Sequence, residues 1–222
     1  METVPSSPAD ENIDTDDEDV IVLPWYQNVW NIVALVVAAA FLFGAVGYVV
    51  GNNRATPDPN EVDIGFLQDM RWHHEQAVSM SLIYLDKPDA SNAVKRLARN
   101  IVVSQNIEVG RMIELLRDFG APEAAPTDIG MAWMNEPTEL DRMPGMASDS
   151  DVEALAAASG AEADQIFVDL MVAHHEGGLH MGEFAMENAN DPRVQRFAEI
   201  VVQTQLDEIG DLQVHLAGSQ GG

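Results

Sequence analysis

Four of the six histidines stand in two matched constellations, Met70-x-x-His73-His74-Glu75 and Met171-x-x-His174-His175-Glu176. A phenylalanine lies four residues before each (Phe66, Phe167), and a methionine follows seven residues after the first histidine (Met80, Met181). Imidazole nitrogen together with thioether sulfur suits Cu(I), or copper cycling between its states, whereas carboxylate-only sets suit harder cations. The chain has no cysteine, so thiolate ligation and disulfides are both excluded. The Glu-x-x-His pairs of di-iron carboxylate proteins and the His-Glu-x-x-His signature of zinc peptidases are absent as well. Copper is the expected metal, with another transition metal as the alternative.

Such ligands act together only if a helix puts them on one face. At about 100° per residue, with Met70 at zero, His73 falls near -60°, His74 near +40°, Ala77 near -20° and Met80 near -80°. Met171, His174, His175, Gly178 and Met181 repeat the arrangement, and a small residue leaves space at the centre of each face. Glu75 and Glu176 fall off that face, and His180 points away from it. Glu108 and Met112, four residues apart, share a face with Gln105. Gln205 and Glu208 recur on the equivalent helix, but Leu212 stands where a second Met112 would be. His215, seven residues past Glu208, returns to that face and is a candidate to supply the missing ligand. Glu108 and Glu208 enter either as ligands or as acceptors that orient the imidazoles.

Each methionine taken singly also reads as core filler, because its flexible side chain fills irregular gaps. Met80, Met112, Met181 and Met186 are open to that reading. Met131-x-x-Met134 and Met143-Pro-Gly-Met146 lie between the two repeats, where capturing Cu(I) and covering the core are equally good roles. Trp72 and Trp133 are expected to pack the core or this connecting segment.

The elements that position these residues are helical throughout, with no convincing alternating strand. One helix should begin near Asp58-Pro59 and run through Asp86; a second should run from a Ser91 cap to Asp118, closed by Gly120 and Pro122. A third spans about Gly160 to Asn188, and a fourth runs from Asp191-Pro192 to near Gly218. Phe66–Met80 matches Phe167–Met181 at an offset of 101 residues, and Val94, Arg96, Ala98, Val102, Gln105, Glu108 and Gly110 recur 100 residues later. Two repeated helical hairpins with apolar stripes bury those stripes against each other, which predicts an all-α four-helix bundle. Residues 121–159 are too long for a tight turn and read as a crossover carrying a short helix near Asp151–Ala158. The duplicated domain is expected over residues 61–222, after a linker at 52–60.

The order Phe…Met-x-x-His-His, Gln-x-x-Glu, Met-Pro-Gly-Met and a second Phe…Met-x-x-His-His resembles a ferritin-like bacterial family. That family is catalogued as a domain of unknown function and is often found in secreted or membrane-anchored proteins near copper-handling genes. The resemblance covers about residues 61–217. It implies a ferritin-like four-helix fold, an extracytoplasmic location, and copper binding or copper resistance. Its motif positions fall on Met70, His73, His74, Glu108 and Met112, and on Met171, His174, His175 and Glu208; Leu212 departs from it.

The N-terminal quarter has a different composition. Residues 1–53 hold eight acidic residues and no Lys or Arg, in a chain whose formal charge is -26. Such a surface repels phosphate backbones and excludes nucleic acid as a partner. Residues 1–28 read as an acidic disordered tail. No charged residue stands between Val20 and Asn53, and an apolar run of this length spans a bilayer as a helix, here residues 29–51. Trp25, Tyr26, Trp30 and Tyr48 suit its interfaces. A cleaved signal peptide is the rival, but the basic flank and the small-x-small site are missing. The expected location is the bacterial cell membrane, single-pass, with the C-terminal domain outside the cytoplasm. Arg54, the only flanking cation, does not settle the orientation.

Two functions fit. One is an anchored copper-binding protein that stores, buffers or delivers the metal. The other is a non-catalytic accessory subunit of a membrane complex, such as a respiratory or copper-containing oxidase, with structural histidines. An oxidoreductase is the weakest option, since no nucleophile, cofactor loop or acid/base pair is recognisable.

Overall fold

The computed structural model describes residues 24–52 and 57–219, the side chains of Asn52 and of residues 215–219 excepted. Most of the expected acidic tail, residues 1–23, therefore lies outside the described residues, as does the side chain of His215. Two compact units, residues 1–55 and 56–222, divide the chain.

The first unit contains a 3-10 turn at Trp25–Gln27 and the helix α1 (Val29–Asn52). Val29–Gly51 is long and apolar enough to cross a membrane, and its side chains stand exposed on all sides.

The second unit is built on α2 (Glu61–Leu85), α3 (Asn92–Asp118), α5 (Gly160–Asn188) and α6 (Pro192–Ser219). α2 pairs with α3 and α5 with α6, while α2 lies against α5 and α3 against α6. The crossover carries the short helix α4 (Asp149–Ala157), packed on α2 and α5. It also holds two 3-10 turns and a two-residue antiparallel pair, β1 (Ile129–Gly130) with β2 (Thr138–Glu139). This small ladder corrects the expectation of no strand; two residues a side is too short to leave an alternating pattern.

The helix starts explain the geometry. Asn60 and Asp63 form a reciprocal cap, each side chain accepting from the other's backbone N–H, so α2 starts slightly later than Asp58-Pro59. Ser91 occupies the cap position of α3 without using its side chain. Its backbone N–H instead donates to Asp164 near the start of α5. The same device recurs 100 residues later, where the backbone N–H of Asp191 donates to Asp63 near the start of α2. Each hairpin turn is therefore tied to the first turns of the other hairpin's leading helix by one duplicated aspartate. α3 closes at Gly120, whose φ of +66° is the left-handed conformation that glycine adopts without a Cβ clash.

Two apolar clusters fill the interior. One, where α2 begins and α5 ends, contains Phe66, Leu67, Phe197 and Val201. The other, where α2 ends and α5 begins, contains Tyr84, Phe167, Val168 and Ile101. Between them, at mid-height of α2 and α5, lie the two His-His pairs. Trp133 packs edge-on against Phe66 and Phe184, with ring centroids 6.1 and 5.7 Å away. Trp72 does not pack inside: it is 42% exposed and borders two clefts between α2 and the crossover, of about 850 and 550 Å³. Its neighbour His73 takes the inward direction, which turns residue 72 outward.

Candidate metal centre

All the candidates on α2 and α5 are inside. Met70, His73, His74, Met80, Met171, His174, His175 and Met181 are each 0% exposed. Ala77 and Gly178 are buried beside them. Glu75 and Glu176 lie on the surface, where Glu75 pairs with Arg71. His180 is exposed and pairs with Glu136.

The helix packing brings His73 and His174 face to face, with ring centroids 3.7 Å apart and planes 33° from parallel. From α3, Glu108 Oε2 accepts from His74 Nε2 at 2.7 Å; from α6, Glu208 Oε2 accepts from His175 Nε2 at 2.6 Å. His73 Nε2 donates to the Pro144 carbonyl at 3.1 Å. These acceptors place the proton of three imidazoles on Nε2, so in the neutral ring Nδ1 keeps its lone pair. Nδ1 has no hydrogen-bond partner in any of the four histidines, and His174 has none on either nitrogen. Burial, with the neighbouring His74 as a second cause, pushes the His73 pKa down to about 3. Burial also drives His174 well below the ordinary value, and the adjacent His73 and His175 add to the effect. Neutral imidazoles with free lone pairs, buried side by side, are ready metal ligands.

The methionines are distributed unevenly around this layer. Met70, Met112, Met181, Met131, Met134 and Met143 share one apolar cluster, with Met146 packed against it. Met80 and Met171 belong to the other, with Leu212 in the place equivalent to Met112. The methionines of the crossover therefore extend the first cluster only. No group of three His, Asp or Glu side chains converges as a metal cage among the described residues. A metal set here would have to combine imidazole with thioether sulfur.

Three side chains one turn apart on α2 fasten the crossover over this site. Asp69 accepts from the Met131 backbone N–H at 2.6 Å and from Trp133 Nε1 at 2.7 Å, holding Met131 at a left-handed φ of +58°. Burial raises the Asp69 pKa, and these two donors counter the rise. His73 holds Pro144, and Gln76 both donates to and accepts from the backbone of Ala147. α5 offers Leu170, His174 and Gly177 at the matching positions. A Cβ on Gly177 would collide with the Pro144 carbonyl, so this glycine lets the Pro144-Gly145 turn pass against α5.

Sequence reasoning singled out neither Asp69 nor Gln76. Their signal was the break in the repeat, since Asp69 and Gln76 become Leu170 and Gly177. Sequence spacing gives Gln105 and Gln205 only a face; the structure buries both and sets the Gln205 amide against Gly178.

A family model described as a domain of unknown function, DUF305, matches residues 63–216. The chain belongs to the DUF305 family. Among solved structures it is similar to a DUF305 protein of Streptomyces coelicolor described as secreted, at 36% identity and a TM-score of 0.65, over 71% of this chain and 93% of that one. A DUF305 fragment from Deinococcus radiodurans matches at 29% identity and a TM-score of 0.63, over 72% and 99% of the two chains. CopM in its Cu(I)-bound form matches at 24% identity and a TM-score of 0.53, over 72% and 98%, a likeness of fold. No curated protein sequence matches the chain.

Proposed function

We propose that this DUF305 protein is anchored in the cell membrane by α1 and binds copper outside the cytoplasm, for storage, buffering or delivery. Its second unit would then be a ferritin-like four-helix bundle with the metal held in its interior. The observation that carries this reading is the layer of four buried histidines, each with an unpartnered Nδ1. Two of them are oriented through Nε2 by Glu108 and Glu208, and thioether clusters lie on both sides. This donor chemistry fits a soft monovalent ion better than a hard cation. CopM, related in fold, has been crystallised with Cu(I), Cu(II) and silver, which supports the choice of metal.

The alternative, an accessory subunit with structural histidines, accounts for His73, which bonds Pro144. It leaves His174 unexplained, because a buried structural histidine is normally satisfied and His174 uses neither nitrogen.

The test is a titration of the full chain in detergent micelles with copper under reducing conditions. Replacing His73, His74, His174 and His175 by Ala should abolish most of the binding. His174→Phe, which orphans no partner, serves as the variant that keeps the fold. Unchanged stoichiometry in folded variants of both kinds would overturn the reading. Extraction of the protein by alkali rather than detergent would overturn the anchor.

A further inference from the structure

Gln105 and Gln205 sit one turn before Glu108 and Glu208, and each is 1% exposed. Both amide atoms of Gln205, and Oε1 of Gln105, have no hydrogen-bond partner. The Gln205 amide lies on the bare Cα of Gly178, where a Cβ would collide with it. Gly178 is one turn past His174 on α5, and Glu208, one turn past Gln205, takes the Nε2–H of His175. The amide is therefore fixed inside the histidine layer by a glycine that makes room for it.

A primary amide brings two donors and an oxygen with two lone pairs, and leaving them buried and unpaired is unfavourable. Leucine would fill the same space without that penalty. A bare monovalent ion held by imidazole and thioether gives an amide no hydrogen bond. A metal-bound water molecule does, since it can accept from the amide N–H and donate to the amide oxygen. A cupric ion, with its preference for tetragonal nitrogen and oxygen ligands, is the form that would carry such a water.

We propose that Gln105 and Gln205 are specificity-determining residues of the site, holding a water molecule on the bound metal so that it accepts the cupric as well as the cuprous ion. This rests on the copper reading above.

The full chain in detergent micelles is titrated separately with Ag(I), a redox-inert stand-in for Cu(I), and with Cu(II). Wild type is compared with a Gln105→Leu/Gln205→Leu variant. The variant should keep its Ag(I) affinity within about twofold and lose at least about tenfold in Cu(II) affinity. The line broadening that oxygen-17-enriched water gives the wild-type Cu(II) electron paramagnetic resonance signal should disappear. The metal-free variant should unfold a few degrees higher, because unpaired buried amides are gone. Equal effects on the two ions, no effect on either, or persistent broadening by labelled water in the variant would each overturn the proposal. A wild-type chain that binds neither ion overturns the copper reading itself; one that binds both, with the variant indistinguishable from it, overturns only the role of the glutamines.

Discussion

The two ends of the duplicated domain began from one pattern and now differ in sulfur and in constraint. At the end where α2 begins, six buried methionines share a cluster and Asp69 fastens the crossover over them. His73 and Gln76 carry the fastening along α2 to Pro144 and to Ala147 of the other cluster. At the opposite end two buried methionines remain, Leu212 replaces the equivalent of Met112, and α5 presents Leu170 and Gly177 where α2 has its fastenings. The paired aspartates Asp63 and Asp164 kept their symmetric roles. Duplication thus preserved what holds the hairpins together and let the sulfur content around the histidine layer diverge. We read the sulfur-rich end as the stronger half-site.

The largest effect should come from cutting the fastening on one side only. Asp69→Ala leaves the Met131 N–H and the Trp133 Nε1–H without their acceptor in a buried setting. Leaving two such donors unpaired costs about 3 kcal/mol in total. Leu170→Ala, at the matching place on α5, removes only part-buried apolar surface and should cost about 1 kcal/mol. Urea unfolding of the metal-free protein measures both. Equal losses would mean that the crossover is not held chiefly from α2.

How much of this was legible follows from what periodicity encodes. The helix limits near Ser91, Gly160, Asn188 and Pro192 could be read because caps, glycine and proline act locally. The inward face of α2 could be read because Met70, His73, His74, Ala77 and Met80 recur at helical spacing. Periodicity gives a face and never its neighbour, however. That His73 stacks on His174, or that Asp69 holds Met131 from 62 residues away, depends on where residues 121–159 travel. Their turns, held by Asp69 and by glycine close approach, leave no repeating signal. Trp72 shows the same limit: spacing leaves it to the core or to the connecting segment, and the inward turn of His73 decides for a half-exposed place beside the crossover.

Acid should act on the layer that both ends share. Sign and window follow from the depressed folded pKa of His73, about 3 against an ordinary 6.5. Between those values the unfolded chain binds a proton that the folded chain refuses, so stability falls as pH drops below about 6.5. From pH 7 to pH 5 His73 alone accounts for about 2 kcal/mol, and His174 acts in the same direction. Comparing urea midpoints at the two pH values with those of His174→Phe isolates the share of His174, since His73 remains in the variant. If that variant keeps the wild-type slope, His174 is not among the groups that resist protonation.

The ends can next be compared by their sulfur. Met→Leu nearly conserves volume, and each exchange costs less than about 1.5 kcal/mol of stability. The triple change Met70→Leu, Met112→Leu and Met181→Leu should weaken Cu(I) binding at least about tenfold, equivalent to about 1.4 kcal/mol. Met80→Leu with Met171→Leu should weaken it less than about threefold. A reversed order, measured by competition with a Cu(I) chelator, would place the stronger half-site at the other end.

The smallest effect is also the most pointed. Leu212 is fully buried in the second cluster, at the position that repeats Met112. Leu212→Met should change stability by well under 1 kcal/mol, since the two side chains have similar volumes. If the absent sulfur is what weakens the second half-site, this substitution should raise its Cu(I) affinity by about threefold and leave the first unchanged. A variant with no change would shift the explanation from sulfur to the crossover. The same substitution in the Asp69→Ala background then separates the two: a gain that survives the loss of the fastening belongs to the sulfur alone.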